Sequence, residues 1–320
     1  MTRRPPVVVA VVSWNTRDLL ENCLESLRPI ARDGTADVWV VDNASSDASA
    51  EMVSRRFPWA RLIALDTNAG FGRAANLVAC NTRHDFLAIA NADTQVMPGA
   101  VESLLSAADI HPTTGAFAPQ LVLPDGSTQH SVYPFPTIPF TVAYASGAIA
   151  RVDWLARWWC IDRGFDPNHG RKVAWAVGAF LLIRRTAWNA VGGFDETQWM
   201  YAEDLDLGWR LRRSGWGIRY VPEAKVLHAE AASTSQAWGE ERFARWHAST
   251  YAWMARRRGF VVTRTVAAIN VIAFLTKGVA RLPLALAGDE RAKNSCQMAF
   301  RTARLHSVGL RERALLAKVK

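Results

Sequence analysis

The run VVVAVVSW, Val7 to Trp14, decides the fold. A continuous β-branched stretch without polar alternation suits a strand buried on both faces of a mainly parallel sheet. Ser13-Trp14-Asn15-Thr16 closes it, and Arg17 to Leu27 then carries apolar residues at helical spacing (Leu20, Cys23, Leu24, Leu27). Pro29 is expected to limit that helix, because proline lacks the amide that a helix interior needs. Val38 to Val41 reads as the next strand, a helix follows from about Ser49 to Phe57, and Arg61 to Leu65 is a third strand. This β-α-β-α-β alternation predicts a doubly wound α/β sheet that takes its ligands at the carboxyl ends of its strands.

The residues at those strand ends carry chemistry. Asp42 opens DNASSD after the second strand, where a carboxylate either accepts hydrogen bonds from a nucleobase or ribose or caps the next helix. After the third strand comes DTNAGFGRAAN, Asp66 to Asn76. Its glycines let backbone approach a ligand and Arg73 is suited to phosphate, while the plain alternative is a tight turn starting a helix. The GxG there is misplaced for a dinucleotide fold, since it follows the third strand and lacks a third glycine. Asp85 to Ala90 is a buried strand leading into Asn91-Ala92-Asp93-Thr94. Asp93 is placed to hold Mg²⁺ or Mn²⁺, which share oxygen ligands with substrate phosphates, or else forms an Asx turn.

Further on, VGGFDETQWMYAEDLDLGWRLRRSGWG, Val191 to Gly217, packs five carboxylates into an apolar, aromatic run. Glu203 and Asp204 fall in the first turn of a helix that Gly215 ends, and carboxylates with shifted pKa values cluster at reactive sites. Dipole complementation and salt bridges to Arg210, Arg212 and Arg213 are the competing reading. Val173 to Arg184 is expected to be one strand with Gly178 inside it, where another group can approach the backbone. His228 ends a strand-like VPEAKVLH, either as a packed histidine or as a ligand.

Four scattered cysteines without CxxC spacing indicate neither a zinc site nor a disulfide framework. The apolar run at the N-terminus is too short to span a bilayer and no small-residue cleavage site follows it, so a secretory signal is not expected. The net charge of +9 is uneven: Glu240 to Lys320 holds sixteen Lys/Arg against five Asp/Glu. A basic tail meets nucleic acid or anionic lipid, and no nucleic-acid motif accompanies it. Phe260 to Leu286 is apolar but interrupted by Arg264, Lys277 and Arg281. It suits either a helix lying in a membrane interface or one packed on the rest of the chain. Ala118 to Asp153, rich in proline and aromatics, reads as a long irregular connection. Burial statistics put Trp154 and Trp158, four residues apart, on the core face of a helix; stacking on a sugar or lying at a lipid interface is the alternative.

The ordered set SWN, VVDNASSD, NAGFGRAAN, NADT, VGAFLLIRR, GGFDE…MYAEDLDLGWRLRRSGW and a late histidine resembles the inverting family 2 glycosyltransferases, in their rhamnosyltransferase-like bacterial branch. The resemblance covers about Val7 to His228. It implies a GT-A fold (Rossmann-like, a mostly parallel sheet flanked by helices), here at 1–236, with a C-terminal helical extension at 237–320. It implies that Ser13, Asp42, Asn68, Gly70, Arg73 and Asn76 line the nucleotide-sugar pocket. Asp93 and His228 would hold the metal, Mg²⁺ or Mn²⁺, Asp204 would be the catalytic base, and Trp175, Gly178 and Glu203 would lie on the acceptor side. Asn91 stands where the family's metal motif has a first aspartate. The implied donor is a nucleotide-diphosphate sugar, dTDP-rhamnose by branch. The implied acceptor is a glycan or polyprenyl-diphosphate glycan at the cytoplasmic face of the inner membrane, with no nucleic-acid partner. A non-catalytic sugar-nucleotide-binding subunit of an assembly complex is the alternative.

Overall fold

The computed structural model describes residues 6–229 and 238–311. The elements in chain order are β1 (Val7–Ser13), α1 (Arg17–Arg32), β2 (Ala36–Asp42), α2 (Ser49–Arg56), β3 (Arg61–Ala64), α3 (Phe71–Cys80), β4 (Phe86–Asn91), β5 (Thr94–Val96), α4 (Ala100–Ile110) and β6 (Thr114–Val122). There follow β7 (Val132–Tyr133), α5 (Ile138–Ala145), α6 (Ala148–Arg151), α7 (Asp153–Trp159), β8 (Arg171–Val173), β9 (Trp175–Ala176), β10 (Phe180–Arg184), α8 (Arg185–Val191), α9 (Glu203–Arg213) and β11 (Gly217–His228). The last helices are α10 (Glu241–Arg258), α11 (Phe260–Leu286) and α12 (Glu290–His306).

The chain divides into two compact units, Met1–Tyr133 with Asp166–Gly239, and Pro134–Phe165 with Glu240–Lys320. The internal stretch 134–165 thus clusters with the C-terminal helices, where the sequence had it as a connection within the catalytic half. It is helical rather than irregular. The boundary expected at 236/237 lies outside the described residues, as does the end of the tail, 312–320.

The first unit is built on a nine-stranded sheet in the order β3-β2-β1-β4-β10-β6-β11-β5, with β8 on β11. β3, β2, β1 and β4 pair in parallel, as the alternation predicted, and all seven residues of β1 are buried. The sheet as a whole is mixed, because β10 inserts antiparallel between β4 and β6. The expected single strand from Val173 to Arg184 is broken into β8, β9 and β10, and the amide of Gly178 in the break goes to a side chain rather than to a ladder. Helix α1 runs through Pro29 to Arg32, since Ile30 in its last turn is buried with the core.

Gly70 and Gly72, in the loop after β3 and the helix it opens, stand where neighbouring chain packs closely. Gly70 has φ +84°, and a Cβ there would stand 2.3 Å from the backbone oxygen of Trp199. A Cβ on Gly72 would meet Phe194 at 3.0 Å.

In the second unit, Tyr251, Trp253 and Met254 of α10 are buried, while Phe243 and Trp246 on the same helix are exposed. Helices α11 and α12 pack closely: a Cβ on Gly278 would lie 2.8 Å from the Phe300 ring, and Cys296 Sγ lies 3.4 Å from the Gly278 oxygen. Arg258 donates to the Pro136 oxygen at 2.9 Å, tying the internal stretch to the tail. Trp154 and Trp158 are exposed, against the core expectation, because Ala156 and Trp159 turn inward instead; Trp159 meets Phe140 edge-on at 5.5 Å.

Gly70→Ala combines a left-handed backbone with a collision against another backbone, which side-chain rotation cannot relieve. It should cost about 2 kcal/mol or more and lower the melting temperature by several degrees. An unchanged melting curve would show that the turn yields.

Candidate active site

The site grows out of strand register. Ser13 at the end of β1 faces Asp42 at the end of β2, and Val12 faces Asn91 at the end of β4. On the other side of β4, Phe180 faces Ala90, and the Asn91 amide donates to the Ala179 oxygen at 2.8 Å. The Gly178 N–H then reaches Asp204 Oδ2 at 3.1 Å. Asp42 and Asp93 thus stand at or just past the carboxyl ends of β2 and β4, and Asp204 is tied to the segment entering β10 at the same end of the sheet.

Asp42 is buried and its Oδ2 accepts the Ser45 N–H at 3.0 Å, the turn-capping role that was one of its two readings. Its Oδ1 is buried without a hydrogen-bond partner, an acceptor left over for a ligand. Two asparagines missed by sequence reasoning hold the surrounding loops. Asn15, at φ +53°, accepts the Ser46 N–H, and Asn43 accepts the Ala69 N–H, both at 2.8 Å. Buried Ser13 lies 3.2 Å from the Thr16 hydroxyl. Asn68 accepts the Gly70 N–H at 2.9 Å, and its Nδ2 is buried without a partner. Trp199 Nε1 donates to the Asn68 oxygen at 3.3 Å, and Trp14, Trp199 and Tyr201 ring Trp238 with centroids 6.0 to 6.3 Å away.

Asn76 departs from its expected nucleotide role. Its Nδ2 donates to the Phe194 oxygen and to Glu196, and its Oδ1 accepts the Phe194 N–H at 2.9 Å. That side chain braces the Val191–Glu196 turn. Arg73 stays exposed, 3.7 Å from Glu196. Trp175 is buried, stacked on Tyr133 at 5.2 Å and packed over Gly208, so its ring is committed to the protein interior rather than to an acceptor.

Asp93 and His228 are brought together by β11 pairing with β5, where His228 faces Thr94 and the Ala229 N–H donates to the Asp93 oxygen. His228 Nε2 lies 3.4 Å from Asp93 Oδ1 and is buried without a hydrogen bond. Its Nδ1 is 2.7 Å from Gln129 Oε1; as the amide oxygen accepts, Nδ1 donates, and the ring is held with Nε2 toward Asp93. Adjacent ligands of an octahedral ion with bonds of about 2.1 Å stand about 3.0 Å apart, so the two atoms, 3.4 Å apart, would close by a few tenths of an ångström around such an ion. Among the described residues no group of three or more His, Cys, Asp and Glu could hold a metal. Asp93 and His228 thus fit a divalent ion that takes its remaining ligands from substrate and water.

Helix α9 begins at Glu203 after two successive left-handed residues, Tyr201 (φ 63°) and Ala202 (φ 64°). Non-glycine residues occupy that region at a cost, and strain of this kind collects at functional sites. Asp204 accepts two backbone N–H groups, from Gly178 and from Leu205 at 2.7 Å. Glu203 Oε2 is buried without a partner. Burial, with Asp204 adjacent, pushes the Glu203 carboxyl up to about 8, and burial raises Asp204 against the pull of its two amides. Burial and the adjacent carboxyl keep the proton on Glu203 at neutral pH, and Asp204 is the member of the pair that two backbone amides hold. The rest of the acidic run is structural: Asp206 is fully buried and pairs with Arg210 at 2.6 Å.

The family described as "Glycosyltransferase like family 2" matches residues 5–249. The chain is 35% identical over 271 residues to the N-acetylglucosaminyl-diphospho-decaprenol L-rhamnosyltransferase of Mycobacterium tuberculosis (strain CDC 1551 / Oshkosh), covering 80% of this chain and 86% of that protein. It is 38% identical over 87 residues to the Rhamnosyltransferase WbbL of Escherichia coli (strain K12), 27% of this chain and 32% of that one. Among solved structures, the mannosyltransferase PcManGT from Pyrobaculum calidifontis in complex with GDP-Man and Mn²⁺ matches with a TM-score of 0.57 at 18% identity, covering 96% of this chain and 87% of that chain. The fold is GT-A.

A carboxyl raised by burial keeps its proton in the folded state while the unfolded chain releases it at the ordinary value of 4.5. Stability therefore falls as pH rises from about 4.5 to about 8. Glu203→Gln removes that loss, so its stability advantage over wild type should grow across this window to on the order of 1 kcal/mol or more. A pH-independent difference in melting temperature would contradict a proton held on Glu203.

Proposed function

The chain belongs to glycosyltransferase family 2, and we propose that it is an inverting rhamnosyltransferase acting on a lipid-linked glycan in cell-envelope polysaccharide synthesis. The observation that carries this reading is the placement of Asp42, Asp93 and Asp204 at one end of the sheet. The 35% identity to a transferase named for a decaprenol-linked N-acetylglucosamine supports both donor and acceptor class. Such an acceptor puts the work at the cytoplasmic face of the inner membrane.

In this reading the nucleotide-diphosphate sugar, dTDP-rhamnose by preference, lies over the strand ends. The free Oδ1 of Asp42 and the Asn68 amide take its nucleoside. Asp93 and His228 would hold Mg²⁺ or Mn²⁺, which would supply positive charge to the diphosphate. Asp204 accepts the acceptor hydroxyl's proton while that oxygen attacks the anomeric carbon from the face opposite the leaving group, so the configuration inverts. The two backbone amides hold the carboxylate on the line of attack, and Gly178 leaves its acceptor side uncrowded. Glu203, carrying the pair's proton, presents a neutral donor beside the base and spares Asp204 a like charge.

Asp204→Asn should keep donor binding, read as a thermal shift with dTDP-sugar, yet lose at least about 10²-fold in turnover. A variant with a near-normal rate would remove Asp204 from the base role. Direct Mn²⁺ titration, by calorimetry or paramagnetic resonance, should show binding to wild type that weakens at least about tenfold in Asp93→Ala and in His228→Ala. Equal affinity in all three proteins would place the ion elsewhere.

A further inference from the structure

Among the described residues, Met97 and Ile110 are the large apolar side chains exposed on the first unit; every other one lies on the helical unit. Soluble surfaces scatter such residues singly, and their concentration on one part of a chain marks an interaction surface. On α11 they include Val261 (81% exposed) and Leu286 (84%), with Ile272 and Val279 between them. On α7 they are Trp154 (66% exposed) and Trp158 (74%), one helical turn apart. The opposite side of α7 is fixed, with Ala156 buried and Trp159 against Phe140, so the two indoles are displayed from an anchored helix.

We propose that the helical unit docks on an anionic bilayer surface, with Trp154 and Trp158 of α7 and the exposed apolar residues of α11 as its interfacial anchors. Charge decides the occupant. From Phe260 to Leu286 the charged residues are Arg264, Lys277 and Arg281, with no Asp or Glu. A second copy would bring the same positive charge against itself in a two-fold contact. Anionic headgroups complement it, and an apolar face plus a basic patch is the pair of signals that reversible membrane binding needs. Tryptophan's amphipathic ring suits the headgroup boundary.

Helix α11 is 27 residues long and apolar enough to cross a membrane, with 17% of its most apolar window buried. A spanning role conflicts with its packing. The Gly278–Phe300 contact holds it against α12, which carries Arg291, Lys293, Arg301 and Arg304. Hydrocarbon would have to admit those cations or pull the helices apart. Lying flat costs neither.

The proposal draws on the lipid-linked acceptor for its purpose only. Its test uses the full chain and vesicles of phosphatidylcholine alone or mixed with phosphatidylglycerol. Wild type should co-sediment with the mixed vesicles, weakly with the neutral ones, and less as salt is added. Trp154→Ser with Trp158→Ser should lower the partition coefficient by about tenfold or more while leaving the thermal shift by dTDP-sugar unchanged. Equal partitioning of the two proteins, or no binding by wild type, would overturn the docking and leave the sugar-transfer reading standing. A wild-type dimer in light scattering that the double variant breaks would assign the tryptophans to a second copy and overturn it too. Loss of the donor's thermal shift in wild type would count against the transferase reading instead.

Discussion

The hydrogen bond from the Gly178 amide to Asp204 joins two halves of the polypeptide that meet nowhere else so consequentially. On one side of it stand β1, β2 and β4, a parallel set whose ends carry Ser13, Asp42 and Asn91 in register. On the other stands α9, whose first turn holds two carboxyls in a space with room for one charge. The link works because β10 runs against β4, so that its starting end, rather than its finish, meets the carboxyl ends of the parallel strands. An extended strand through 177–179 would spend that amide on a ladder and leave Asp204 with one donor fewer. Helix α9 would then begin in the same place, with its carboxylate less well held.

Strain and burial around this link point the same way. Tyr201 and Ala202 adopt left-handed backbone immediately before the carboxyl pair, and Gly70 accepts a contact with Trp199 that no side chain would tolerate. Asn76 and the buried Asp206–Arg210 pair brace the ends of the same segment. The chain from Val191 to Arg213 is thus clamped from several sides, which is what a base needs if it is to meet a hydroxyl at a fixed distance.

Much of this was legible before any coordinates. The buried run at β1 and the alternation after it gave the parallel half of the sheet, because a run apolar on both faces has few other places to go. Asp42, Asp93, Asp204 and His228 were picked out by their places at strand and helix ends. What escaped were features that depend on tertiary pairing. The reversal at β10 leaves no mark in VAWAVGAFLLIR, whose hydrophobicity suits either direction. Asn76 and Trp175 have residue types that suit a ligand site, and only packing against Phe194 and Tyr133 commits them elsewhere. Gln129 follows a tight turn, and nothing in the polar run PDGSTQH marks it as the residue that orients His228. Trp154 and Trp158 fit a core face by spacing, and the opposite face won because Ala156 and Trp159 found neighbours.

The reversed strand has one more consequence. The groups assigned to the nucleoside come from the first third of the chain, whereas the base arrives later, on α9, and its supporting amide on the segment that enters β10. Changes to the later segment can reshape what receives the sugar without disturbing the loops that grip the nucleotide. One inherited chassis is thereby free to serve many different recipients, and diversification along that axis asks for no redesign of the other.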